Sequence, residues 1–149
     1  MTLGFDTSFL VAAEVTEHPD HEGVWRRIRE LKAHGNRFAL TSLVLAEFVH
    51  IVTDARRFKI PLTMPQALAE ARGWWDATDV ERVPPYDDAV IWFIEAMARH
   101  QLGRKRVLDT MLAGTYRSAG ITSLLTLNAA DFAVFGEFTC LGSAPATPP

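Results

Sequence analysis

At 149 residues, 48% of them apolar and 22% charged, the chain has the length and composition of one globular domain with its own core, which excludes a disordered segment. A formal net charge of −3 excludes a protein that coats nucleic acid by sheer positive charge, though not a nuclease whose acidic site takes up a cation. Cys140 is the only cysteine, which excludes an internal disulfide and any cysteine-based zinc pattern; no apolar run is long enough to span a bilayer and no export signal is read at the start, so a cytoplasmic protein is expected.

Strand-like and helix-like segments alternate along the chain, the pattern of an α/β domain with a mainly parallel sheet. Residues 2–6 predict a first strand and 7–14 a short helix. Pro19 suits the opening of a helix over 20–31, with Val24, Ile28 and Leu31 as its buried stripe and Gly35 at its end. Residues 38–41 predict a short strand, and Ser42 the cap of the helix that carries Glu47. A connection over 59–62 leads to a helix near 64–77, then to a strand over 80–83 stopped by Pro84 and Pro85. Residues 86–102 predict a long amphipathic helix with Val90, Phe93, Ile94 and Met97 turned inward and Gly103 at its end. Residues 108–119 predict another helix, and 121–125 and 138–141 the last strands. The small, Pro-rich run 143–149 predicts a frayed tail after a single domain over 1–142.

Four acids interrupt this pattern where it is most apolar. Asp6 ends the first strand, Glu47 shares the helical stripe of Leu43 and Ile51, Asp109 follows Val107–Leu108, and Asp131 closes the turn after residues 121–126. Singly, Asp6 and Asp109 also read as helix N-caps and Asp131 as a turn residue. A mid-helix glutamate on a core stripe is harder to dismiss. A carboxylate taken out of water is costly unless it is paired or holds a metal, and these segments lack the basic partners to pair all four. In open parallel sheets ligands bind beyond the carboxyl ends of strands, where one cleft can collect all four acids. Together they would make a cage of hard oxygen ligands suited to Mg²⁺ or Mn²⁺. The basic run Arg104, Lys105 and Arg106 directly precedes Asp109 and is expected to lie beside a phosphate backbone.

The segments Phe5-Asp6-Thr7-Ser8-Phe9-Leu10, Ser42-Leu43-Val44-Leu45-Ala46-Glu47-Phe48, Leu108-Asp109-Thr110-Met111-Leu112-Ala113 and 125–132 resemble, in order and over nearly the whole chain, the PIN-domain family, most of all its VapC-type toxin ribonucleases. The resemblance implies a three-layer α/β/α sandwich, Mg²⁺- or Mn²⁺-dependent endonucleolytic cleavage of RNA, a small antitoxin protein that blocks the site, and a homodimer. It matches Asp6, Glu47 and Asp109 to the three core acids and Asp131 to the fourth. Thr7 or Ser8 matches the hydroxyl beside the first acid, and Thr126 and Asn128 the polar residues that support the site. Thr110 departs from the small residue common after the third acid.

Two other readings stay open at this point. A PIN-type nuclease that processes RNA without a toxin role would use the same residues. A receiver-like signalling module would use acids to hold Mg²⁺, but it wants paired acids after its first strand and a lysine after its last; Asp6 stands alone and no lysine follows Thr126.

Overall fold

The computed structural model describes residues 1–146. Short apolar runs form its strands: β1 (Thr2–Phe5), β2 (Arg37–Leu40), β3 (Val80–Arg82), β4 (Ser123–Leu125) and β5 (Thr139–Leu141). They pair in the order β3-β2-β1-β4-β5, every pair parallel. Leu3, Gly4 and Phe5 in β1 and Phe38, Ala39 and Leu40 in β2 are all buried, as strands covered on both faces require.

The helices are α1 (Thr7–Glu14), α2 (His21–Ala33), α3 (Ser42–Val52), α4 (Met64–Asp76), α5 (Asp87–Arg99), α6 (Val107–Ser118) and α7 (Ala129–Ala133), with a 3-10 turn at Arg104–Arg106. Right-handed crossovers put α1 to α4 on one face of the sheet and α5 to α7 on the other. Side-chain alternation in β1 agrees. Phe5 stacks with Phe38 and meets Phe9 and Trp74 on the first face, while Gly4 faces Tyr116 of α6 on the second. The expected three-layer sandwich is borne out, with every strand parallel.

Local departures have physical causes. In α5 the buried residues are Ala89, Trp92 and Ala96, whereas Val90 and Ile94, expected inside, are 40% and 56% exposed and Phe93 and Met97 only half-buried. Gly114 of α6 explains this: a Cβ there would stand 2.9 Å from the Ala89 carbonyl and 3.0 Å from the Trp92 ring. The two helices touch through small residues and one flat ring, which turns the larger aliphatics of α5 outward. Thr41, not Ser42, is the N-cap of α3, and Asp109 sits inside the first turn of α6 with Arg106 as N-cap. Of the tail expected over 143–149, residues 147–149 lie outside the described residues. Within them, Ser143 donates to Asp20, Ala144 donates to the Gly23 carbonyl, and Arg26 donates to the carbonyls of Ala144 and Pro145.

Candidate active site

β1 and β4 end side by side, with Phe5 opposite Leu125, and the backbone just beyond them builds the floor of a cleft. Asp6 is the N-cap of α1: its Oδ1 accepts the Thr7 N–H at 2.8 Å. Its Oδ2 accepts the hydroxyls of Thr126 at 2.6 Å and Ser8 at 2.7 Å. Those hydroxyls are themselves placed by backbone donors, Asn128 N–H to Thr126 Oγ1 and Leu127 N–H to Ser8 Oγ, both at 3.0 Å. Asp6 is only 4% exposed, and burial raises its pKa against the pull of these hydrogen bonds, with Asp131 adding to the rise. The cap and the site are one feature.

Asp6, Glu47 and Asp109 line a cleft of about 670 Å³ together with Thr7, Ser8 and Asn128. Burial, then the charges of Asp109 and Asp6, raise Glu47 to about 7. Burial, then Asp6 and Asp131, raise Asp109 to about 6, against the opposing charge of Arg106. The acids therefore feel one another, which ordinary surface carboxylates do not. Asp131 lies in the first turn of α7, near enough to act on Asp6 and Asp109 but outside the cleft lining. The Thr7 hydroxyl is buried with no hydrogen-bond partner of its own, although it lies near enough to Glu47 to favour the charged form.

The donor set suits a hard divalent cation: carboxylate oxygens, a hydroxyl without a partner, and repulsion that a cation would relieve. Among the described residues no three acidic, histidine or cysteine side chains close on one point tightly enough to grip an ion directly. Mg²⁺ commonly keeps several of its waters and touches one or two carboxylates, so its site need not enclose it.

The basic run is split by the fold. Arg104 and Lys105 are exposed on the 3-10 turn before α6, outside the cleft lining. Arg106 is half-buried and donates from Nη2 to the Asp131 carbonyl, tying α7 to the start of α6. The cleft is lined instead by His18, Asp20, Arg57 and Phe58, which sequence reasoning did not assign to the site. Arg57 stands in a basic cluster with Arg56 and Lys59, but nothing in the spacing joins residue 18 to residue 57.

The family model for the PIN domain matches residues 5–137. The chain is 26% identical over 140 residues to Ribonuclease VapC24 of Mycobacterium tuberculosis, covering 90% of this chain and 91% of that one. Its fold is similar to that of VapC20 of the same species, described as a sarcin–ricin loop cleaving toxin, with a TM-score of 0.70 and 21% identity over 92% of this chain and 96% of the other. It is equally similar, at a TM-score of 0.70 and 16% identity over 96% and 99% of the two chains, to VapBC2 from Rickettsia felis bound to a DNA fragment from its promoter.

Proposed function

The chain belongs to the PIN-domain family, and from that premise we propose that it is a divalent-metal-dependent endoribonuclease, the toxin of a toxin–antitoxin pair. The observation that carries the chemistry is the meeting of Asp6, Glu47 and Asp109 in one cleft, each with a carboxyl raised by burial and by its neighbours. The ribonuclease and toxin names of its relatives support RNA as substrate and an antitoxin as partner.

Asp6, Glu47 and Asp109 would hold Mg²⁺ or Mn²⁺, with Asp131 acting on Asp6 and Asp109 from outside the cleft lining. When bound, the cation supplies an activated water and offsets charge on the phosphoryl group. Asp6 is the most rigid of the three, because three donors fix its two oxygens. Ser8 and Thr126 position it, and Asn128 places Thr126 through its backbone while lining the cleft. The Glu47 carboxyl, raised to about 7 by burial and its acidic neighbours, takes up a proton near neutrality in the metal-free protein, and a bound cation would hold it ionised. Arg104 and Lys105 are free to offset the charge of phosphates outside the cleft, while Arg106 keeps α7 and Asp131 in place.

Two apolar surfaces suit the protein partners. A pocket of about 300 Å³ lined by Ser42, Leu45, Leu68, Ala71, Arg72 and Trp75 opens between α3 and α4 and suits an antitoxin segment. The outward side of α5, with Tyr86, Val90, Ile91 and Ile94 between 40% and 61% exposed, suits the interface of a homodimer.

Cleavage of a mixed-sequence RNA with Mg²⁺ or Mn²⁺ tests the nuclease reading. Chelation should abolish it, and Asp6→Asn or Asp109→Asn should lower the rate by at least about a hundredfold while circular dichroism stays native. Full activity in chelator would refute the reading.

A further inference from the structure

Besides the acids, the cleft is lined by two chain segments far apart in sequence, His18 with Asp20 and Arg57 with Phe58. The Glu17 carboxylate accepts the backbone N–H groups of Lys59 at 3.1 Å and Ile60 at 2.9 Å. This clamp fastens the α3–α4 connection to the turn between α1 and α2, and Arg57, Phe58 and His18 from these two segments line the same cleft. His18 Nδ1 accepts the Asp20 N–H at 3.1 Å, which leaves the ring proton on Nε2 as a donor. Asp54 engages Arg56 through both oxygens at 3.1 Å, while the Arg57 Nε stands 3.7 Å from Asp54, so the Arg57 guanidinium keeps most of its donors. Among the described residues that line the cleft, Arg57 is the one arginine or lysine. Val11 and Ile51 add apolar surface to the same cleft lining.

We propose that His18, Arg57 and Phe58 form a subsite for the nucleotide neighbouring the scissile phosphate, with Arg57 on its phosphate and Phe58 against its base. This inference rests on the nuclease reading above. A polyanion entering a cleft of carboxylates needs positive charge at both ends: a cation serves the acidic end, and Arg57 serves the other. A ring with aliphatic neighbours offers a stacking surface that accepts any base, and His18 Nε2 adds one donor for a sugar or base oxygen. Glu17 is the positioning residue that keeps the two segments together.

The test measures binding of a fluorescein-labelled, mixed-sequence single-stranded RNA in Ca²⁺ at several salt concentrations, alongside Mn²⁺-dependent cleavage and Mn²⁺ calorimetry. Arg57→Ala should weaken RNA binding about tenfold and reduce the log–log salt slope by about 0.7, the loss of one single-strand phosphate contact. Phe58→Leu should weaken binding about tenfold with an unchanged slope, because only stacking is lost. Mn²⁺ affinity should match wild type in both, and Arg57→Lys should recover the slope. Lys59→Ala, an exposed neighbour of equal charge outside the cleft lining that keeps its backbone N–H on Glu17, should change little.

A wild type that cleaves RNA while Arg57→Ala keeps its affinity and slope would overturn the subsite and spare the nuclease reading. Equal losses for Lys59→Ala and Arg57→Ala would reduce Arg57 to a diffuse charge and overturn it too. Unchanged RNA binding with weakened binding of a co-purified protein partner would assign these residues to that partner and overturn the subsite. A wild type with no metal-dependent cleavage would fail the nuclease reading itself.

Discussion

Glu47 and Asp109 carry the sharpest consequence at the scale of single residues. Their folded-state values, about 7 and about 6, lie above the ordinary 4.5 and 3.8. The native state therefore holds protons that the unfolded chain has released. Their contribution to stability is fully present below the ordinary values and is lost as pH rises through 6 to 7. Metal-free protein should accordingly melt at a lower temperature at pH 8 than at pH 5. Glu47→Gln should remove part of that loss, the rest staying with Asp109 and with Glu14, which burial also raises to about 7; the gain at pH 8 should be on the order of 1 kcal/mol once solvent screening of a half-buried group is allowed for, with little effect at pH 5. Thermal melts of both proteins in chelator at the two pH values check this; a parallel pH response would show that Glu47 does not bear the strain. By the same linkage Mn²⁺ affinity should fall between pH 8 and pH 6, because the cation must displace protons.

Between elements, the contact that fixes the sheet under the site is Gly4 against Tyr116. A Cβ on Gly4 would stand 2.7 Å from the Tyr116 ring, whose hydroxyl donates to the Phe5 carbonyl at 2.7 Å and approaches that of Ala39 at 3.1 Å. Neither partner can move without leaving buried carbonyls unpaired. Gly4→Ala should cost about 1–3 kcal/mol by overpacking, read as a lower urea midpoint with unchanged slope. Most elements were legible in the sequence because apolar periodicity and Gly or Pro stops marked them. The orientation of α5 was not, since the rule that large aliphatics face inward fails where Ala89, Ala96 and Gly114 let two helices approach closely. The acids at 6, 47 and 109 stood out because burying charge is costly anywhere. His18 and Arg57 did not, because their meeting depends on the Glu17 clamp, a contact spanning 42 and 43 residues to the two amides it holds. Arg26 and Arg27 of α2 reach the carbonyls of residues 142, 144 and 145, contacts across the chain that no local pattern marks.

For the molecule as a whole, the topology accounts for why one end is chemical and the other is not. Every strand runs the same way, so the chain leaves β1 and β4 at one edge, and Asp6 and Thr126 begin where those strands stop. Helices from both faces of the sheet then bring Glu47 and Asp109 to that edge. With a net charge of −3, the protein gains little attraction for RNA from its overall field, so binding must come from a captured cation and a few local basic residues. The most direct measurement is therefore isothermal calorimetry of Mn²⁺ into the metal-free protein at pH 8, for wild type, Asp6→Asn and Glu47→Gln. A shared cation site predicts saturable binding by the wild type and at least about tenfold weaker binding by each variant, with folds unchanged. Wild-type affinity in both variants would contradict the claim that these carboxylates converge to hold a metal.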